Sequence, residues 1–254
     1  MRVVSNAKLS PWLYPIIRSD ESPIAMICFP YAGSGASIYR GWSKLFSTEV
    51  DLYAVQAPGR ETRFTEPFVS TIQELATAAA LAIQSVTDKP IVLFGHSLGS
   101  ACAYETARVL EGRGRTPELL IVSGRQCPGT PSKRAPISHL SDSQFLNQVR
   151  HYNGTPTEIL ENAELMEVLL PLIRSDFALA ERYRPAPSPT LNCPMLALGS
   201  VDDEWLDVET LEQWATLTQG PFETHWFAGD HFYLNRHAQE LVSFIKEKMV
   251  SLTI

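Results

Sequence analysis

No run in this sequence approaches the ~20 consecutive apolar residues that a bilayer-spanning helix requires, so a transmembrane protein is not expected. The first 23 residues, MRVVSNAKLSPWLYPIIRSDESP, hold no apolar stretch of about 7–15 residues followed by a small-residue cleavage site, and a cytoplasmic location is expected. Cysteine is scarce. Cys28, Cys102, Cys127 and Cys193 are widely scattered, with no C-x-x-C pair and no histidine-rich neighbour. They read as buried apolar residues of a reducing compartment, neither metal ligands nor a disulfide frame. Positive charge is outweighed, with 21 Lys and Arg against 28 Asp and Glu and a formal net charge of -7. That balance argues against nucleic acid or an anionic membrane surface as a partner. Internal repeats and low-complexity segments are missing too.

What is present is an ordinary globular composition, 44% hydrophobic and 19% charged over 254 residues, enough to bury one α/β core with room for an insertion. The chain is organised around Pro90–Arg108. An apolar run, Ile91-Val92-Leu93-Phe94, has the length of a buried strand, ends in Gly95-His96-Ser97-Leu98-Gly99, and is followed by a helical stretch. This is G-x-S-x-G in a strand-to-helix setting, where a sharp turn pushes the serine hydroxyl above a sheet. A tight turn with an ordinary capping serine would not explain glycines at both offsets. Ser97 is therefore the expected nucleophile.

Further strands are expected at 24–29, 51–56, 119–123, 194–198 and 223–228, with helical patterns at 39–46, 71–86 and 235–249. Strands alternating with helices imply right-handed crossovers and a mostly parallel sheet covered on both faces. Residues 125–189 break the rhythm, with two or three helical patterns and no strand, the clearest from Leu165 to Tyr183. Some 60 residues is too long for one crossover, so a helical lid inserted over the C-terminal edge of the sheet is expected. Its apolar underside would form one wall of an acyl pocket.

A serine nucleophile needs a base, and the base needs an orienting carboxylate, in the chain order Ser, acid, His. Of six histidines, His96 should point away from the Ser97 Oγ, His139 and His151 fall in the lid, His225 lies in a strand and His237 in the last helix. His231, in the loop Gly229-Asp230-His231-Phe232, remains as the base. The acid should follow the strand at 194–198, where Asp202 and Asp203 are adjacent. Neighbouring residues face different ways, so one of the two supports the histidine and the other serves a turn; residue chemistry leans toward Asp203 without deciding it. The oxyanion hole needs two N–H donors: Leu98, just after the nucleophile, and one from Pro30-Tyr31-Ala32-Gly33, with Ala32 favoured and Tyr31 the alternative.

Taken together, Cys28-Phe29-Pro30-Tyr31-Ala32-Gly33-Ser34-Gly35-Ala36, Gln56-Ala57-Pro58-Gly59-Arg60-Glu61, the elbow, Ala197-Leu198-Gly199 with Asp202-Asp203, and Gly229-Asp230-His231-Phe232-Tyr233-Leu234 resemble the type II thioesterases that accompany polyketide and nonribosomal peptide synthetases. The likeness runs from about Ile24 to Met249, and the Pro-Gly-Arg-Glu and Gly-x-His-Phe-Tyr-Leu segments are its most specific parts. It implies an α/β-hydrolase fold and a triad of Ser97, Asp203 and His231, which selects Asp203 over Asp202. It also implies hydrolysis of stalled or unwanted acyl groups from the phosphopantetheine arm of acyl or peptidyl carrier domains. No metal and no bound cofactor are expected, since the phosphopantetheine belongs to the carrier. The sequence departs from the family pattern at Ser200 and Asp230, where glycine is usual, and at Glu204, where proline is usual.

A monomer that meets carrier domains is expected. Those partners are typically acidic, so a local basic patch is anticipated near the pocket mouth, with Lys133 and Arg134 favoured over Arg113 and Arg115. Two other readings compete: a small-molecule esterase or acyltransferase of the same fold, and a non-catalytic carrier-binding protein.

Overall fold

The computed structural model describes residues 10–46, 48–152, 154, 157–187 and 189–251. Among the described residues, seven strands form one sheet: β1 (Leu13–Ile17), β2 (Ile24–Phe29), β3 (Val50–Val55), β4 (Ile91–His96), β5 (Leu119–Ser123), β6 (Met195–Ser200) and β7 (Phe222–Phe227). Their spatial order is β1-β3-β2-β4-β5-β6-β7, and every pair is parallel except β1 with β3. β1 was not expected from the sequence. Pro15 interrupts its pattern, and a strand containing proline is confined to a sheet edge; β1 lies at the edge, with a register shift between Pro15 and Ile17.

The sheet is buried on both faces because its strands alternate between two cores. Along β2, Ala25, Ile27 and Phe29 pack with α1 (Ile72–Val86) and α2 (Leu98–Gly112). Met26 and Cys28 turn the other way, toward Tyr39, Trp42 and the C-terminal helices. A strand covered on both faces needs no polar residue, and Ile24-Ala25-Met26-Ile27-Cys28-Phe29 has none. Thr71 caps α1, its Oγ1 accepting the Glu74 N–H at 3.0 Å, while Glu74 Oε2 accepts the Ser70 N–H at 2.8 Å. All four cysteines are buried and free. No helix among the described residues is long and apolar enough to cross a membrane.

Two expected helices differ in form. The pattern at 39–46 is a 3-10 helix, Ala36–Lys44. The C-terminal helix breaks at His237, whose N–H turns back to the Tyr233 carbonyl at 2.7 Å, leaving Tyr233–Arg236 and Ala238–Ser251 as separate helices. His237 thus sits at a helix junction.

Between β5 and β6 the chain forms α3 (Asp142–His151), α4 (Thr157–Leu160) and α5 (Ala163–Arg182). Residues 153, 155, 156 and 188 of the expected insertion lie outside the described residues. These helices, with Ile137 just before α3, hold an apolar cluster of their own, made of Ile137, Phe145, Val149, Leu160, Met166 and Ile173. α5 contains Pro171.

Candidate active site

The turn from β4 into α2 is sharp enough to force Ser97 into left-handed backbone, φ 54° and ψ -115°. A non-glycine residue there is strained and is held by its surroundings. Ser97 N–H donates to the Ser123 carbonyl at 2.8 Å. The Ser100 hydroxyl lies 2.8 Å from the carbonyls of Gly95 and Ser123 and accepts the Ser123 N–H at 2.9 Å. The flanking glycines are required by contact: a Cβ on Gly95 would lie 2.1 Å from the Gly99 carbonyl oxygen, and one on Gly99 would lie 2.1 Å from that of Phe29.

His231 stands in the loop after β7, its Nδ1 2.5 Å from Asp203 Oδ2. Asp203 Oδ1 accepts the Trp205 N–H at 3.1 Å, so both carboxylate oxygens are used. Burial alone would raise the Asp203 carboxyl, but the hydrogen bond and charge of His231, with the Trp205 N–H, outweigh it and hold it below its usual value. Asp202 is exposed, and its N–H donates to the Gly229 carbonyl at 3.1 Å. Asp203 is the aspartate that meets the histidine.

One cavity of about 490 Å³ is lined by Tyr31, Ala32, Ser97, Leu98, Asp203 and His231 together. Ile173, Phe177 and Ala180 of α5 and Val149 of α3 supply an apolar wall. The turn after β2 presents backbone to it: the Tyr31 carbonyl accepts the Ser34 hydroxyl at 2.6 Å, while the Tyr31 and Ala32 N–H groups meet no acceptor among the described residues. Leu98 is the first residue of α2, where an N–H has no partner within the helix.

Beneath the elbow lies a polar chain that sequence reasoning missed. His96, fully buried, places Nδ1 2.8 Å from the Ser123 hydroxyl, which lies 2.6 Å from the Tyr233 hydroxyl. Burial, then the neighbouring His231, pushes His96 well below the usual histidine value and keeps it neutral. Tyr233 follows His231 by two residues in a family-specific segment, which was the available signal.

The expected basic patch is not free. Lys133 Nζ is 2.5 Å from Asp207 Oδ2. The Arg134 guanidinium packs 3.4 Å from the Trp205 ring centroid and 4.3 Å from that of Tyr152, and burial lowers it to about 10. Arg134 is therefore a wall of the site, with Trp205 edge-on to His231 at 6.0 Å. Arg113 and Arg115 bond Gln84 and the carbonyls of Thr87 and Lys89 at 2.7 Å.

Known proteins resemble this chain along nearly its whole length. The family model for the thioesterase domain matches residues 25–249. Thioesterase PikA5 of Streptomyces venezuelae is 35% identical over 96% of this chain and 88% of its own. Linear gramicidin dehydrogenase LgrE of Brevibacillus parabrevis is 34% identical over 96% and 95%. The solved structure of BorB, a type II thioesterase from the borrelidin biosynthetic cluster, superposes with a TM-score of 0.87 at 34% identity, covering 95% of this chain and 99% of that one. The chain belongs to the thioesterase family, and within it to the type II thioester hydrolases.

Proposed function

We propose that Ser97, His231 and Asp203 form a catalytic triad that frees the phosphopantetheine arm of synthetase carrier proteins from stalled acyl groups. The observation that carries this reading is the 2.5 Å Asp203–His231 pair lining the same cavity as a serine in strained left-handed backbone. His231 takes the proton of Ser97 Oγ as it attacks the thioester carbonyl. The Leu98 and Ala32 N–H groups hold the oxyanion, and the pantetheine thiol leaves with a proton from His231. Water, deprotonated by His231, then opens the acyl-enzyme and restores Ser97. Asp203 fixes the tautomer of His231 and stabilises its charged form. No metal or bound cofactor takes part, and the arm arrives with its carrier.

α3–α5 act as the lid of this pocket. Their apolar wall receives the acyl chain, and the relatives' association with synthetase pathways supports carrier domains as the source. The test is a panel of carrier proteins loaded with short, long and aminoacyl groups, with the freed carrier thiol measured by mass. Turnover of carrier-bound thioesters well above that of matched oxygen esters is expected. Preference for the oxygen esters would replace this reading with a small-molecule esterase, and failure to react with a fluorophosphonate probe would replace it with a binding role.

A further inference from the structure

The Gln56–Glu61 segment stands out in the sequence yet takes no part in the chemistry above. It clamps the turn that follows β2. Gln56 Oε1 accepts the Ala36 N–H at 3.1 Å, and its Nε2 donates to the Arg60 carbonyl at 2.9 Å. Glu61 Oε1 accepts the Ser37 N–H at 3.1 Å. Arg60, 7% exposed, donates from Nη1 to the Ser34 carbonyl at 2.9 Å and to Asp176 Oδ2 at 2.8 Å, and from Nη2 to Asp176 Oδ1 at 2.9 Å.

Asp176 lies on α5 and is 1% exposed. Its Oδ2 also accepts the Gly33 N–H at 2.7 Å. Ile173, one turn earlier on the same helix face, presses on the same glycine. Gly33 has φ +78°, and a Cβ there would lie 3.0 Å from Ile173 Cγ1. α5 thus grips the turn both by a buried charge and by packing.

The amides of this turn are fixed in series. The Tyr31–Ala32 peptide, which carries the Ala32 N–H, is held at its carbonyl by Ser34. The Ser34 carbonyl is held by Arg60, and the Ala32–Gly33 peptide is held at the Gly33 N–H by Asp176. Removing the carboxylate releases the last of these and leaves Arg60 without its anion in a buried place.

We propose that Asp176 is a positioning residue that couples the seating of α5 to the Ala32 N–H, so the oxyanion site is complete only while that helix rests on the turn. This rests on the reading of Ala32 as an oxyanion donor. A small displacement of a preorganised donor lowers the rate by about 10²-fold without removing any group that touches substrate.

Two measurements test it. In the wild-type chain, hydrogen exchange by NMR should show the Gly33 amide opening in step with the α5 amides around residues 173–179. Asp176→Asn keeps the volume and one acceptor, and should lower kcat of the folded enzyme by about 10²-fold with KM nearly unchanged. Its Gly33 amide should exchange faster than in wild type. A folded variant with wild-type kcat overturns the proposal, as does a Gly33 amide in the wild type that opens independently of α5. If Asp176→Asn does not fold, the wild-type exchange decides. Turnover retained in Ser97→Ala would instead overturn the reading of the site, whatever Asp176 does.

Discussion

The rings of His96 and His231 stand 5.0 Å apart, and only His231 has a carboxylate against its Nδ1. His96 faces the Ser123 hydroxyl from a fully buried position and stays neutral. A second charge at 5.0 Å would compete with the imidazolium that forms on His231. The placement of one aspartate therefore decides which of two adjacent rings is the base.

Asp203→Asn should accordingly lower kcat by about 10²-fold or more, and Asp202→Asn should have little effect. Steady-state hydrolysis of one acyl thioester by both variants checks this. The reverse order would transfer the role to Asp202, against its exposed position.

Ser97→Ala should lose on the order of 10³-fold or more in kcat while keeping its fold. Alanine at a left-handed position carries the same backbone strain as serine, so the melting temperature should change little. A folded variant that hydrolyses thioester near the wild-type rate would remove Ser97 as the nucleophile.

Acid should weaken the fold partly through Asp203. Its folded-state value is lowered, so ionised Asp203 contributes stability above the unfolded carboxylate value of about 3.9. That contribution is lost as pH falls through the lower folded value. The melting-temperature gap between wild type and Asp203→Asn should therefore narrow below about pH 4. A gap that widens toward acid would contradict the ion pair.

Arg134→Ala should slow carrier-bound and small thioesters alike, by about tenfold, because the guanidinium braces Trp205 beside His231. A salt-dependent rise in KM confined to the carrier substrate would instead restore Arg134 as a docking charge.

The elbow was legible because its constraint is local: glycines on both sides of Ser97 answer contacts within one strand-turn-helix unit. β5 was read at its true ends, Leu119 and Ser123, since a fully buried parallel strand is a continuous apolar run with polar boundaries. β1 was missed because Pro15 masks the pattern and its pairing with β3 is non-local. Which of Asp202 and Asp203 faces the histidine depends on a turn between β6 and the next helix, where residue chemistry is nearly silent. Asp176 left one usable trace, an acid on the apolar stripe of Ile173 and Phe177, but its partners lie 143 and 116 residues away.

Because α3–α5 lie between the neighbouring strands β5 and β6 and, with Ile137, hold an apolar cluster of their own, this segment should be exchangeable as a unit. Acyl preference could diversify by trading this segment among relatives while the sheet and elbow stay fixed. The Asp176 contacts set the terms of such a trade. A transplanted segment that lacks a carboxylate at that point would strand Arg60 and loosen the turn, so a functional chimera must carry the acid across with the helix.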